Sequence, residues 1–76
     1  MKLAEYIERF TSIKEVIAKM GGEYSASGLR NACKDKKPAM PGVSKRRLIA
    51  EALTGLTPHE HTSSTVYDLV NGDYKI

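Results

Sequence analysis

Residues 11–37 read TSIKEVIAKMGGEYSASGLRNACKDKK, two short amphipathic stretches either side of a double glycine, followed by bare positive charge. Ser12 and Glu15 stand at S-x-x-E spacing, which sets the serine hydroxyl to accept a free backbone N–H and the glutamate to reach back to another. A helix is therefore expected from about Ile13. Ile13, Val16, Ile17 and Met20 recur at i, i+3, i+4 and i+7, one face of an α-helix, and Gly21-Gly22 predicts its end where positive φ costs least. After the turn a second helix is expected from Ser25 to Lys34 or Asp35. Tyr24, Leu29, Ala32 and Cys33 form its inward set, and Ser25, Ser27, Arg30, Asn31 and Lys34 its outward set.

That outward set carries chemistry. A serine near a helix start can bond phosphate or a base edge, arginine can bond guanine O6 and N7 together, and asparagine can do the same for adenine N6 and N7. The alternative is that Ser25 only caps the helix while Arg30, Asn31 and Lys34 form an ordinary solvated face. Two short helices joined by a glycine turn, the second with a short polar face, give the outline of a helix-turn-helix DNA reader.

Seventy-six residues allow one domain, and a chain this short buries only about 60% of its unfolded surface, so the core is a few helices' worth of side chains. One cysteine excludes an intrachain disulfide and fits a reducing cytoplasm. The opening MKLAEYIERF carries Glu5 and Glu8 and cannot be a signal-peptide core, and no apolar run approaches the ~20 residues of a membrane span. A soluble, intracellular protein is expected. Net charge is +3, unevenly spread: residues 30–47 hold seven basic side chains against Asp35 alone, a local +6 that leaves −3 for the rest. A polyanion meeting the middle of the chain accounts for this, because local positive potential steers association and phosphate neutralisation adds sequence-independent affinity. A solvated charged face is the bland alternative.

Taken in order, Leu3, Tyr6, Ile7 and Phe10 predict a short amphipathic helix over residues 2–10, broken at Thr11. Two prolines and a glycine make residues 36–43 a loop. Ser44 reads as the N-cap of the next helix, with Val43 and Leu48 as a hydrophobic staple and Leu48, Ile49, Ala52 and Leu53 as its apolar face. Gly55 reads as its stop, and Thr57-Pro58-His59-Glu60 as the cap and first turn of a short fifth helical piece. In the tail, Val66, Leu69 and Val70 fit a helix ended by Asn71-Gly72, while Asn-Gly between β-prone pieces also signals a hairpin; helix is the preferred reading.

The run from Leu3 to about Pro58 resembles the lambda-repressor-like domains of small phage regulators. LAEYIERF, TSIKEVIAKMG and YSASGLRNACK resemble the opening, scaffold and recognition helices of Cro proteins. SASGLRNACK, the proline-bearing loop, RRLIAEAL and TPHE followed by a Ser-Ser-x-x-Tyr piece resemble the Ner proteins of Mu-like phages. The resemblance implies a compact all-α domain of four or five helices. It places Ala26, Ser27, Arg30 and Asn31 at base edges, has Tyr24 and Leu29 anchor the reading helix, and brings Ser12, Lys14 and Ser25 to the phosphate backbone. Lys34, Lys36, Lys37, Lys45, Arg46 and Arg47 are expected to position the protein on phosphates without specifying sequence. Matching Gly22 to the family's turn glycine puts Ala18 at the close helix contact and leaves Glu23 as an inserted residue. Gly28, inside the reading helix, costs roughly 1 kcal/mol against alanine, a cost expected to be offset by close approach to DNA or to the preceding helix.

The implied function is sequence-specific repression of transcription in a bacterial host, encoded by a phage or prophage. Residues 1–63 form the DNA-binding domain, and residues 64–76 a tail that either makes a homodimer or closes the core. A different class keeps the same fold for protein interaction, as an antitoxin or anti-repressor, and a third is an excisionase-like architectural DNA binder. No enzyme chemistry is expected. His59 and His61 read as exposed loop residues without enough partners for zinc, Cys33 as a small inward residue rather than a nucleophile, and no cofactor or small-molecule substrate is implied.

Overall fold

The structure, a computed structural model, describes residues 1–22 and 24–76. It is all-helical, with α1 (Leu3–Phe10), α2 (Ile13–Lys19), α3 (Ala26–Ala32), α4 (Val43–Leu56) and α5 (Ser63–Asn71), and no strand among the described residues. Glu23, expected as an inserted turn residue, lies outside them. None of these helices is long and apolar enough to cross a membrane.

Each helix turns the stripe that its sequence spacing marks toward one core, with Phe10, Ile13, Ile17 and Leu48 only partly buried at its edge and Ala50 added to it. Leu3, Tyr6 and Ile7 from α1, Val16 from α2, Leu29 and Ala32 from α3, Ile49, Ala50, Ala52 and Leu53 from α4, and Val66, Leu69 and Val70 from α5 make one core with Met20. α4 lies centrally, packed on α5 and α2; α1 packs on α2 and α5, and α3 on α2. The last helix therefore belongs to the same core as the first four, and Asn71-Gly72 ends it as a helix: Gly72 takes φ +83° and its N–H bonds the carbonyl of Leu69.

Several boundaries differ from the sequence reading. Ser12 does cap α2, its Oγ accepting from the N–H of Glu15, but the Glu15 carboxylate accepts from the Thr11 hydroxyl at 3.2 Å instead of reaching the cap's backbone. α4 is capped by the extended backbone of Gly42 and not by Ser44, so Val43 is already helical and 55% exposed, and the proposed staple does not form. Gly55 stays inside α4, which ends at Leu56 because Thr57 turns extended. No helical turn follows. The Thr57 hydroxyl bonds back to the carbonyl of Leu53 at 2.7 Å instead of capping forward. α3 stops at Ala32, two to three residues early. Both turn glycines adopt positive φ, +64° at Gly21 and +83° at Gly22, and Ala18 faces solvent rather than a neighbouring helix.

The expected exposed loop histidines are a further correction. His61 is buried, at 8% exposure, and His59 is half-buried. Their rings belong to an aromatic and hydroxyl cluster around Tyr6, which joins α1 to the segment between α4 and α5.

Candidate nucleic-acid interface

α3 is short, and its two faces are sharply unlike. Leu29 and Ala32 are fully buried, while Ser27, Arg30 and Asn31, at i, i+3 and i+4, project together from the opposite side; Ala26 is half-buried at the helix start. Ser25 caps the helix by accepting from the Gly28 N–H at 3.0 Å. Capping uses an acceptor lone pair, so the Ser25 O–H can still donate; the Ser27 hydroxyl, 3.5 Å away, is one partner within reach. Ser12 has the same standing at the start of α2, with Lys14 exposed beside it.

Within the fold, Gly28 is required by Tyr24 and not by α2. A Cβ there would lie 2.5 Å from Cε1 of Tyr24, so the tyrosine ring occupies the space a side chain would need. Burial pushes the Tyr24 phenol upward, with Cys33 a smaller cause. Its ring has the Lys45 ammonium 5.9 Å from its centre, which brings the start of α4 against the start of α3.

Beyond α3 the chain turns through Lys37, which takes φ +50°, and the Ala39 N–H bonds the carbonyl of Asn31 at 3.0 Å. This closes the basic loop onto the end of α3. Asp35, the single acid in the basic middle, is turned away from the lysines around it: its carboxylate meets Lys2 at 2.9 Å and its carbonyl accepts from the same ammonium at 2.7 Å. Lys34, Lys36 and Lys37 are exposed and make no salt bridge among the described residues.

The three basic residues at the start of α4 have separate surroundings. Arg47 is exposed; Lys45 and Arg46 are half-buried. The Arg46 guanidinium donates to the carbonyl of Pro41 at 2.7 Å and lies 5.4 Å from the centre of the Tyr67 ring, tying the loop and α5 to α4. Its Nε is buried without a hydrogen-bond partner among the described residues.

An open groove of about 550 Å³ separates α1 from the end of α3, lined by Lys2, Glu5, Glu8, Arg9, Cys33 and Asp35. Burial, and then the nearby Glu8 carboxylate, push the Cys33 thiol up to about 11, so it stays protonated at neutral pH. A thiol is a poor nucleophile and metal ligand. No three His, Cys, Asp or Glu side chains group as metal ligands among the described residues. Comparison of the chain with protein-family models, curated proteins and solved structures gives no match.

Proposed function

We propose that the chain is a sequence-specific DNA-binding regulator of transcription, a phage-type repressor resembling Cro and Ner proteins, which lays α3 in the major groove as the second member of a helix-turn-helix. The observation that carries this reading is the paired surface of α3 and its loop. Ser27, Arg30 and Asn31 project from one helix face, and Lys34, Lys36 and Lys37 beyond it make no salt bridge among the described residues, Asp35 pairing with Lys2 instead. Arg30 and Asn31 are the base readers, with Ala26 and Ser27 beside them. Ser12, Lys14, Ser25, Lys34, Lys36, Lys37 and Arg47 meet phosphate. Lys45 and Arg46 contribute chiefly by holding α4 against Tyr24 and Tyr67. A single short helix reads few base pairs, so a homodimer on half-sites about one helical turn, ~34 Å, apart supplies specificity.

Selection of bound duplexes from a random pool at ~150 mM salt tests the reading. An enriched motif is expected. Arg30→Ala and Asn31→Ala are each expected to cost about 1–3 kcal/mol and relax one base position, whereas Lys37→Ala weakens all duplexes alike and lowers the salt slope by about one. If Arg30→Ala leaves sequence preference unchanged, α3 is not the reader. No enrichment at all, with weak salt-sensitive binding, favours use of the fold for protein interaction, the reading that the lengthened Gly21-Gly22 turn suggests.

A further inference from the structure

The joint between α4 and α5 gathers a polar cluster that lies apart from the basic face and does not depend on what that face binds. Tyr6 Oη is 2.7 Å from Nε2 of His61, 2.7 Å from Oγ1 of Thr57 and 3.1 Å from Nδ1 of His59. The second nitrogen of His61, Nδ1, is 3.0 Å from the Thr65 hydroxyl in α5. Thr65 in turn meets the Thr62 carbonyl at 3.0 Å, part of the cap of α5, and Thr57 meets the Leu53 carbonyl at 2.7 Å.

Each of these six contacts needs one proton between its heavy atoms. With both imidazoles neutral and the His59 proton on Nδ1, three hydroxyls and two ring N–H groups supply five, so a neutral cluster is one donor short. A proton on both nitrogens of His61 would fill the set: Nε2–H to Tyr6, Nδ1–H to Thr65, Tyr6 to Thr57, Thr57 to Leu53, Thr65 to Thr62 and His59 to Tyr6.

Against that gain stands what surrounds the ring. Tyr6 faces it from α1, Thr65 from α5, His59 from its own segment, and Tyr74 from the C-terminal segment with ring centres 5.4 Å apart, while the backbone N–H of His61 donates to the Thr54 hydroxyl of α4. None of these is a carboxylate, and His59 is a like charge whenever it is protonated. Burial, and then His59, hold His61 below the ordinary imidazole value. One additional hydrogen bond does not compensate a buried cation that lacks a counter-ion.

We propose that this cluster is a proton-operated clasp: acidification charges His61, the imidazolium leaves its place between Tyr6 and Thr65, and α5 with the C-terminal segment loosens from α1. Because the folded chain holds His61 below its unfolded value, the unfolded chain binds more protons. Its stabilising contribution is complete above pH ~6.5 and is lost as the pH falls from there toward the lower folded value.

The test is an NMR titration of both imidazoles in the full chain between pH 5 and 8, with thermal midpoints and amide exchange over the same range. The expected results are titration of His61 below ~6.5, a midpoint that falls with acid, and loss of protection in α5 before α2 and α3. His59→Gln is expected to move the His61 titration upward, and His61→Gln to flatten the midpoint over this range. If His61→Gln does not fold, the wild-type titration and His59→Gln decide. Titration of His61 at or above ~6.5, with a midpoint level or rising in acid, means the sixth donor is kept; that result overturns the proposal.

Discussion

Tyr24 and Gly28 show how one side chain sets the identity of another. In a helix interior glycine is unfavourable by roughly 1 kcal/mol against alanine, yet here the Tyr24 ring stands where the Cβ would be. Gly28→Ala is expected to destabilise the native background by about 1–3 kcal/mol through overpacking. In a Tyr24→Ala background the same change is expected to cost less, because helix propensity favours alanine by up to ~1 kcal/mol and only the capping Ser25 Oγ, 3.0 Å from the Cβ position, still crowds it. Denaturant unfolding of the four proteins measures the coupling, and equal effects in both backgrounds would remove the ring from above Gly28. The sequence marks Tyr24 as an inward anchor and Gly28 as a cost, but spacing along the chain does not say which residue occupies a missing side chain's volume. The same limit hid His61. Nothing local in TPHEHTSST tells that its ring meets a tyrosine 55 positions earlier.

At the scale of the helix, the elements themselves were legible because each has a periodic apolar stripe, and the misreadings fall at ends where two signals compete. Ser44 is a good capping residue, but Gly42 adopts the extended cap conformation first and Val43 accepts solvent exposure. Gly55 has no need of positive φ, since Leu56 continues the helix and packs on the core. At Asn71-Gly72 the helix and hairpin readings share the same dipeptide; the spacing of Val66, Leu69 and Val70 decides between them, and all three are buried. Gly72→Ala is expected to cost about 1 kcal/mol, because φ +83° is a conformation that a Cβ disfavours. Thr62→Ala is expected to cost about 0.5–2 kcal/mol through loss of the capping box, with chemical denaturation as the measurement. A Gly72→Ala variant as stable as the native chain would contradict the left-handed stop.

The whole molecule is built on a central α4, with α5 packed on it from the adjacent segment and α1 packed on α5 from the far end of the sequence. The candidate reading face was legible in outline because its residues are contiguous: Arg30 and Asn31 lie on one helix face, and the lysines follow directly. How the charges are shared was not. Asp35 pairs with Lys2 from another element and Arg46 turns to Pro41 and Tyr67, so their charges are engaged within the fold, while Arg47 is left exposed.

The hydrogen bond between Tyr6 and His61 spans 55 residues, and such a bond forms only after a long loop has closed. The α4 and α5 pair, neighbours in sequence, can assemble before that closure. Tyr6→Phe should therefore leave the refolding limb of a chevron nearly unchanged and raise the unfolding rate, the pattern of a contact absent from the transition state. Slowed refolding would place the contact in the nucleus. In kinetic terms the phenol acts as a latch set late: it governs how long the native state lasts, and hardly at all how soon it is reached.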